Sequence, residues 1–229
     1  MHNILSFACL LGKFSQRILA LPLVFLTLST CPVSAIPPRK APITTKRAPQ
    51  LIMAIAKRGT IIIDLYPDTA PKTVAHVIAL VNRKFYDGLL FHRVIVDFVA
   101  QTGESKSRNI DGTKLHGLTD VRVAQMFGLG KGGSGKTVPL EAKLPHERGT
   151  VGLARPGDAE SGDCQFFFNL KNNPSMDFAY TVFGRVSKGL NVMDKIQLGD
   201  RITSVRVTKG NIQFSAPDGR GLRSKPILR

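Results

Sequence analysis

Residues 91–101 read FHRVIVDFVAQ and combine an arginine, an aromatic ring and an amide in one run. We interpret the run as an extended strand, in which residues two apart share a face. Arg93 then lies on one face, and a bulge before Phe98 would turn Gln101 toward it. A guanidinium beside an amide suits chemistry on peptide groups that needs no nucleophile, so this run predicts both a strand and a candidate site.

Further motifs follow one order between about Leu51 and Val207. They read DLYP (64–67), APKTV (70–74), RGTVGLA (148–154), CQFFFN (164–169) and TVFGRV (181–186). Together with FHRV (91–94), they resemble the cyclophilin-type peptidyl-prolyl cis-trans isomerases. Agreement of several separate motifs in one order is not expected by chance.

The periodicity predicts a mainly β fold. Two apolar runs, 51–56 and 60–65, flank Lys57-Arg58-Gly59 as a hairpin, and short strands are expected around 90–101, 150–154, 165–169, 181–186 and 202–207. A helix opens at Pro71, buries every third or fourth residue, and ends at Asp87-Gly88, while a second spans 190–198. Many short strands and two helices favour a closed antiparallel barrel. The resemblance implies the same eight-stranded barrel, capped by two α-helices.

The first 35 residues have the pattern of a secretory signal peptide. They contain no acid, the bases Lys13 and Arg17, an apolar run at 18–28 that is short for a bilayer span, and the small-residue sequence Val33-Ser34-Ala35. We expect cleavage after Ala35 and a periplasmic or secreted protein. The alternatives are a lipidated Cys31 and a thylakoid-lumen protein.

A basic, Pro-rich linker is expected at 36–49 because its four prolines and four bases cannot bury enough apolar surface to fold. The domain is then expected at 50–210 and a basic tail at 211–229. Loss of residues 1–35, with Lys13 and Arg17, lowers the formal charge from +16 to +14. Solvated, basic ends are preferred over a nucleic-acid interface in an exported protein, and no stable membrane insertion after cleavage is expected. We expect a monomer.

Residues 104–127 are interpreted as an insert, because the family's compact members have a shorter glycine-rich connection there. Within it, residues 118–126 are expected to form a short helix or strand. Long loops in compact domains are often functional. The insert is therefore either a client-binding loop, remote from the site that short peptides reach, or a passive surface insertion.

Two other motifs are rejected as cofactor sites. Residues 130–137 (GKGGSGKT) match a phosphate-binding loop, but Val138-Pro139-Leu140 interrupts the helix that must follow. The histidines at 92, 116 and 146 and Cys164 lack metal-ligand spacing. No metal and no other cofactor is expected. Cys164, unpaired once Cys9 and Cys31 are removed, is expected to be a packed small hydrophobic residue.

The resemblance assigns the site residue by residue. Arg93, Phe98 and Gln101 would be catalytic, and the substrate-binding positions would be Val99, Ala154, Arg155, Gln165, Phe167, Met176 and Tyr180. Two positions depart from the best-known pattern, because Ser175 stands at the tryptophan important for cyclosporin binding and Tyr180 at the pocket histidine. Catalysis should survive both changes, but drug binding is in doubt.

The predicted activity is rotation of X-Pro bonds in proline-containing polypeptides, which would assist the folding of exported proteins. The competing hypothesis is a non-catalytic proline-peptide binding module or scaffold, in which the insert or the basic ends hold a partner. The presence of Arg93, Phe98, Gln101 and Phe167 favours the enzyme.

Overall fold

The computed structural model describes residues 48–208, which form eight strands and three α-helices. The strands are β1 (Gln50–Ile55), β2 (Gly59–Leu65), β3 (Arg93–Ile95), β4 (Val99–Thr102), β5 (Thr150–Leu153), β6 (Phe166–Asn169), β7 (Thr181–Lys188) and β8 (Ile202–Val207). The helices are α1 (Pro71–Asn82), α2 (Asp120–Phe127) and α3 (Leu190–Met193). Short 3₁₀ turns occupy Ser105–Asn109, Gly112–Leu115 and Pro174–Met176.

All eight strands join one antiparallel sheet in the order β3-β4-β6-β5-β7-β2-β1-β8. The predicted eight-stranded antiparallel architecture is therefore confirmed. The sheet curls until segment 88–91 meets segment 199–202 through backbone hydrogen bonds, including Phe91 N–H to the Asp200 carbonyl at 2.9 Å and an isolated bridge between Leu90 and Arg201. Because β3 and β8 do not pair as strands, the predicted closed barrel is better described as a curled, incompletely closed sheet.

Strand alternation divides the three phenylalanines of β6 between two faces. Phe166 and Phe168 enter the main hydrophobic core, together with Phe183 of β7 and the inward residues of β1 and β2. Helix α1 covers this core with a face that includes Val74 and Val77. Phe167 must then point away from that core, which places its ring on the outer face of the sheet.

Residues 91–101 form a hairpin, and the prediction of one extended run with a bulge was wrong. Arg93 pairs with Gln101 and Ile95 with Val99 across a three-residue loop. Asp97 adopts a positive φ of 54°, and Phe98 N–H donates to the Ile95 carbonyl at 3.1 Å. The hairpin turns the chain by itself, and Arg93 and Gln101 become direct cross-strand neighbours.

The bounds of two predicted helices need correction. Helix α1 ends at Asn82, before the expected Asp87-Gly88, because residues 83–88 continue as turns. The helix expected at 190–198 is one turn, Leu190–Met193. A third helix, α2, lies in the insert, where a short helix or strand was expected.

The insert is folded around a hydrophobic cluster of its own. Leu115, Val123 and Leu129 are buried against Leu90, which directly precedes the β3–β4 hairpin. The Thr119 hydroxyl accepts from the Arg122 N–H at 3.3 Å at the start of α2, and Gly128 ends the helix with a left-handed φ of 62°. Caps and cluster together fix α2 beside β3.

Candidate active site

Four strands place one residue each in a row across the outer face of the sheet. Arg93 of β3 pairs with Gln101 of β4, Gln101 with Phe167 of β6, and Phe167 with Gly152 of β5. Directly paired residues project to the same face, so a guanidinium, an amide and an aromatic ring stand side by side. The ring of Phe167 lies over Gly152, where a Cβ would come within 2.7 Å of Cε2. Glycine is therefore required at 152 for the ring to take this position.

A hydrogen-bonded chain fixes the polar half of the row. Arg93 Nε donates to Asp120 Oδ2 at 3.2 Å, and Nη1 donates to Gln101 Oε1 at 3.4 Å. Gln101 Nε2 donates to Gln165 Oε1 at 2.9 Å, and Gln165 Nε2 donates to the Gly132 carbonyl at 2.9 Å. The chain starts on α2 and ends on the glycine-rich loop, so segments on both sides orient the guanidinium and the two amides.

Aromatic side chains surround Phe167 on the other half of the row. Tyr180 meets the Phe167 ring edge-on with centroids 5.7 Å apart, and His146 stacks on it at 5.9 Å. The Arg155 guanidinium carbon lies 5.3 Å from the Tyr180 centroid, and Arg155 Nε donates to the Ala179 carbonyl at 2.8 Å. Phe167 and His146 are each 2% exposed, so they form the floor, and the half-buried Tyr180 forms the rim.

The remaining predicted site residues lie around this centre. Phe98 is half-buried in the hairpin loop, and its carbonyl accepts from Leu170 N–H at 2.9 Å and from Asn173 Nδ2 at 3.1 Å. Met176 is half-buried in the 3₁₀ turn that follows Asn173, and Ala154 N–H donates to the Gln165 carbonyl at 2.8 Å.

Val99 has little surface to offer a ligand in this conformation. It shares a strand face with Gln101, but its side chain is only 1% exposed. Ser175, at the position of the family's tryptophan, is exposed on the Pro174–Met176 turn.

Three buried groups in or near the site have displaced pKa values. Burial lowers the pKa of His146, against the opposing effect of Asp177. Burial lowers the pKa of His92 to about 4, against the opposing effect of the Glu104 carboxylate, so the ring is neutral at physiological pH. Burial also raises the pKa of the Cys164 thiol to about 12. The Cys164 Sγ donates to the Gly103 carbonyl at 3.2 Å. A protonated, buried thiol has the packing role that the sequence predicts and is not a nucleophile.

The glycine-rich loop is held by the protein's own carboxylates. Glu104 Oε2 accepts from Gly130 N–H and Gly132 N–H, each at 2.7 Å, and Asp163 Oδ2 accepts from Ser134 N–H at 2.6 Å. Backbone amides of this kind bind phosphate in nucleotide-binding loops. Here internal anions occupy them, and the loop leads into an isolated bridge at Val138 instead of a helix.

Residues 48–208 contain no side-chain cluster suited to a metal ion and no helix suited to a membrane. In this range no group of three or more His, Cys, Asp or Glu side chains is arranged to hold a metal ion. None of its helices has the length and apolar character needed to cross a bilayer.

Three contributors to the site were missed from the sequence. Asp120 reaches Arg93 from α2, His146 stacks on Phe167, and Glu104 holds the glycine-rich loop. Thr119-Asp120 ahead of an apolar pattern was a readable helix start, and it placed an acid in the first turn. Nothing local in the sequence indicated the contacts of His146 or Glu104, because both join segments that are remote along the chain.

Comparison with known proteins agrees with this architecture. The family model described as cyclophilin type peptidyl-prolyl cis-trans isomerase/CLD matches residues 50–214. A probable peptidyl-prolyl cis-trans isomerase of Brucella suis is 41% identical over 145 residues, covering 62% of this chain and 69% of that protein. Peptidyl-prolyl cis-trans isomerase B of Bacillus subtilis is 36% identical over 147 residues, covering 63% and 87%. The chain belongs to the cyclophilin-type peptidyl-prolyl cis-trans isomerase family.

Solved structures show the same fold. A cyclophilin-type isomerase of Cryptosporidium parvum, crystallised in the presence of the dipeptide Ala-Pro, aligns with a TM-score of 0.56 at 20% identity over 70% of this chain and 99% of its own. A cyclophilin of Hirschia baltica aligns with a TM-score of 0.53 at 22% identity, covering 69% and 73%.

Proposed function

We propose that this chain catalyses cis–trans isomerisation of X-Pro peptide bonds in polypeptides, with Arg93 as the catalytic donor. The observation that carries the proposal is the row Arg93–Gln101–Phe167, which sets a fixed guanidinium beside an aromatic floor. Such a site can hold a pyrrolidine ring on the aromatic side and reach its amide from the polar side. Family membership supports this activity.

The chemistry needs no covalent intermediate and no cofactor. Rotation about the peptide bond has a barrier of about 18–20 kcal/mol because resonance gives the bond partial double-bond character. In the twisted state, resonance is lost and the proline nitrogen gains a lone pair. Arg93 donates to that lone pair more strongly than to the planar amide, so the interaction favours the transition state.

Hydrogen bonds from Arg93 to Asp120 and Gln101 fix the direction in which its guanidinium can donate. Among the described residues, two of its five N–H donors are engaged by Asp120 and Gln101, which leaves three for the substrate. Gln101 and Gln165, joined by a hydrogen bond of 2.9 Å, would hold the substrate backbone together with Ala154 and Arg155. Phe98, Met176 and Tyr180 would line the proline pocket, with the nearly buried Phe167 and Val99 beneath them.

A protease-coupled proline-peptide assay on the protein comprising residues 36–229 tests both the activity and the mechanism. Arg93→Ala should lower kcat/KM by roughly 100- to 1000-fold, because one preorganised donor is lost. Arg93→Lys, which keeps the charge but not the planar fork, should recover only part of the loss. Activity of Arg93→Ala within a few-fold of wild type contradicts the mechanism. Peptide binding without turnover in the wild type would favour the alternative binding module.

We also propose an exported protein that assists folding outside the cytoplasm. The support is the sequence of residues 1–35, which lie outside the described residues, as do the linker to residue 47 and the tail from residue 209. Mass spectrometry of protein from the native host should find an N-terminus at Ile36 in the periplasmic fraction. An intact Met1 or a lipidated Cys31 would reject this form of export.

A further inference from the structure

Helix α2 and the β3–β4 hairpin line a cavity beside the catalytic row. A cavity of about 350 Å³ separates α2 from the hairpin and is lined by His92, Arg93, Gln101, Asp120, Val121, Val123, Ala124, Leu129 and Gly130. Its walls differ in chemistry, because Arg93 and Gln101 supply the side that faces the row and aliphatic residues of the insert supply the other. The hypothesis of a client-binding loop required the insert to be remote from the site that short peptides reach. The insert instead lines a cavity beside that site.

Charge in the cavity is balanced. The Arg93–Asp120 pair, with side chains 33% and 35% exposed, contributes one positive and one negative charge, and the lowered pKa of His92 keeps that ring neutral. Val121 on α2 is 59% exposed even though it is aliphatic. A balanced ion pair beside exposed aliphatic surface suits an apolar side chain better than a charged one.

The distances allow one polypeptide to use both halves of the site. One strand spacing, about 5 Å, separates the backbone of Phe167 from that of Gln101, which lines the cavity together with Arg93 and residues of α2. Consecutive Cα atoms lie about 3.8 Å apart, so a chain whose proline covers Phe167 reaches the Gln101 side of the cavity within about two residues.

We propose that this cavity is a substrate subsite for an apolar side chain within two residues of the isomerised X-Pro bond, built by the insert. The proposal rests on the isomerase function above. Its occupant is the polypeptide substrate itself, because Arg93 and Gln101 belong to both the cavity wall and the catalytic row. The subsite makes the insert a determinant of sequence preference around proline.

The test compares X-Pro peptides in which each of the two residues on either side of the proline is changed singly from Ala to Leu. At one position, Leu should raise kcat/KM of the wild type by roughly tenfold, as expected when added methylenes enter an apolar pocket. Ala124→Leu, which fills the cavity, should bring the Leu-to-Ala ratio close to one. Taking the ratio within each variant cancels any general loss of activity.

Gln125→Leu is the matched control, because it makes a similar change on the exposed surface of the same helix outside the cavity lining. It should retain the tenfold ratio. A wild-type ratio near one at all four positions, or an unchanged ratio in Ala124→Leu, overturns the subsite. If no peptide is isomerised by the wild type, the proposed function fails separately. The subsite is then tested by calorimetry. The Leu peptide should bind the wild type and Gln125→Leu more tightly than the Ala peptide, and the two peptides should have similar Kd values for Ala124→Leu.

Discussion

Gly152→Ala tests the position of the Phe167 ring without replacing any residue proposed to contact substrate through its side chain. An added Cβ would lie 2.7 Å from Phe167 Cε2 and 3.1 Å from Cε1, whereas ordinary contacts begin near 3.4 Å. Pairing of Phe167 with both Gln101 and Gly152 fixes its backbone, so the ring itself must move. We estimate a displacement of about 1 Å, and misplacement of that size can lower the rate by about 100-fold.

The substitution should also destabilise the protein, because excess volume in a packed site costs about 1–3 kcal/mol. Isomerase kcat/KM and the thermal midpoint Tm are measured on the same preparations. Gly157→Ala is the control, since no atom lies within 4 Å of a Cβ placed there, and it should leave both quantities unchanged.

A second variant separates ring displacement from general damage. Phe167→Leu shortens the side chain over residue 152, so Gly152→Ala should cost less Tm in the Phe167→Leu background than in wild type. Activity of the double variant should stay low because the aromatic floor is gone. Wild-type kcat/KM and Tm in Gly152→Ala alone would refute the assignment of Phe167 as a floor fixed by glycine.

Three further predictions concern other parts of the molecule. Because burial lowers the pKa of His92 from 6.5 to about 4, the unfolded chain is protonated first as the pH falls; the free energy of unfolding should therefore drop by up to about 3 kcal/mol between pH 6.5 and 4. Denaturant titrations should show a smaller drop in His92→Leu but not in His116→Gln, whose ring is exposed. With its pKa raised to about 12 and its side chain buried, Cys164 should react with a thiol reagent only as fast as the native protein opens, and reaction at the rate of a free thiol would contradict this burial. Cyclosporin should inhibit weakly in a titration, since the exposed Ser175 offers no indole surface or N–H donor; nanomolar inhibition would show that another residue replaces the tryptophan.

The parts of the fold that the sequence predicted are those governed by local periodicity. Alternation over residues 50–65 placed β1 and β2, and the apolar spacing after Pro71 placed α1. The hairpin at 93–102 was missed because its loop has no glycine, and Asp97 takes the positive φ that usually marks such a turn. The sequence predicted that Gln101 would face Arg93, but their direct pairing across two strands follows from that loop and was not predicted.

Contacts across the site depend more on tertiary packing than the strands and helices do, so fewer of them could be predicted from the sequence. The resemblance named Gln165, Phe167 and Tyr180, and the structure brings these residues together with Arg155 around the row. It could not name Asp120, because the family's compact pattern has no counterpart of the insert. A buried partner such as His146 has no periodic signature, since its position is set by Asp177 and Phe167, which lie far along the chain.

The Glu104 carboxylate has a consequence for how this chain can vary. It lies where the chain leaves the sheet, yet it binds the amides of Gly130 and Gly132, where the chain returns. Both ends of the intervening segment are thus fastened at one buried point, and a Cβ at position 132 would collide with that carboxylate. The entropy of closing a loop changes by only about 0.6 kcal/mol for each doubling of its length. Segments of very different length could therefore be exchanged between these two points while the sheet and the catalytic row keep their geometry. The Glu104 contacts thus allow the segment at this edge of the site to diverge and to recognise different substrates.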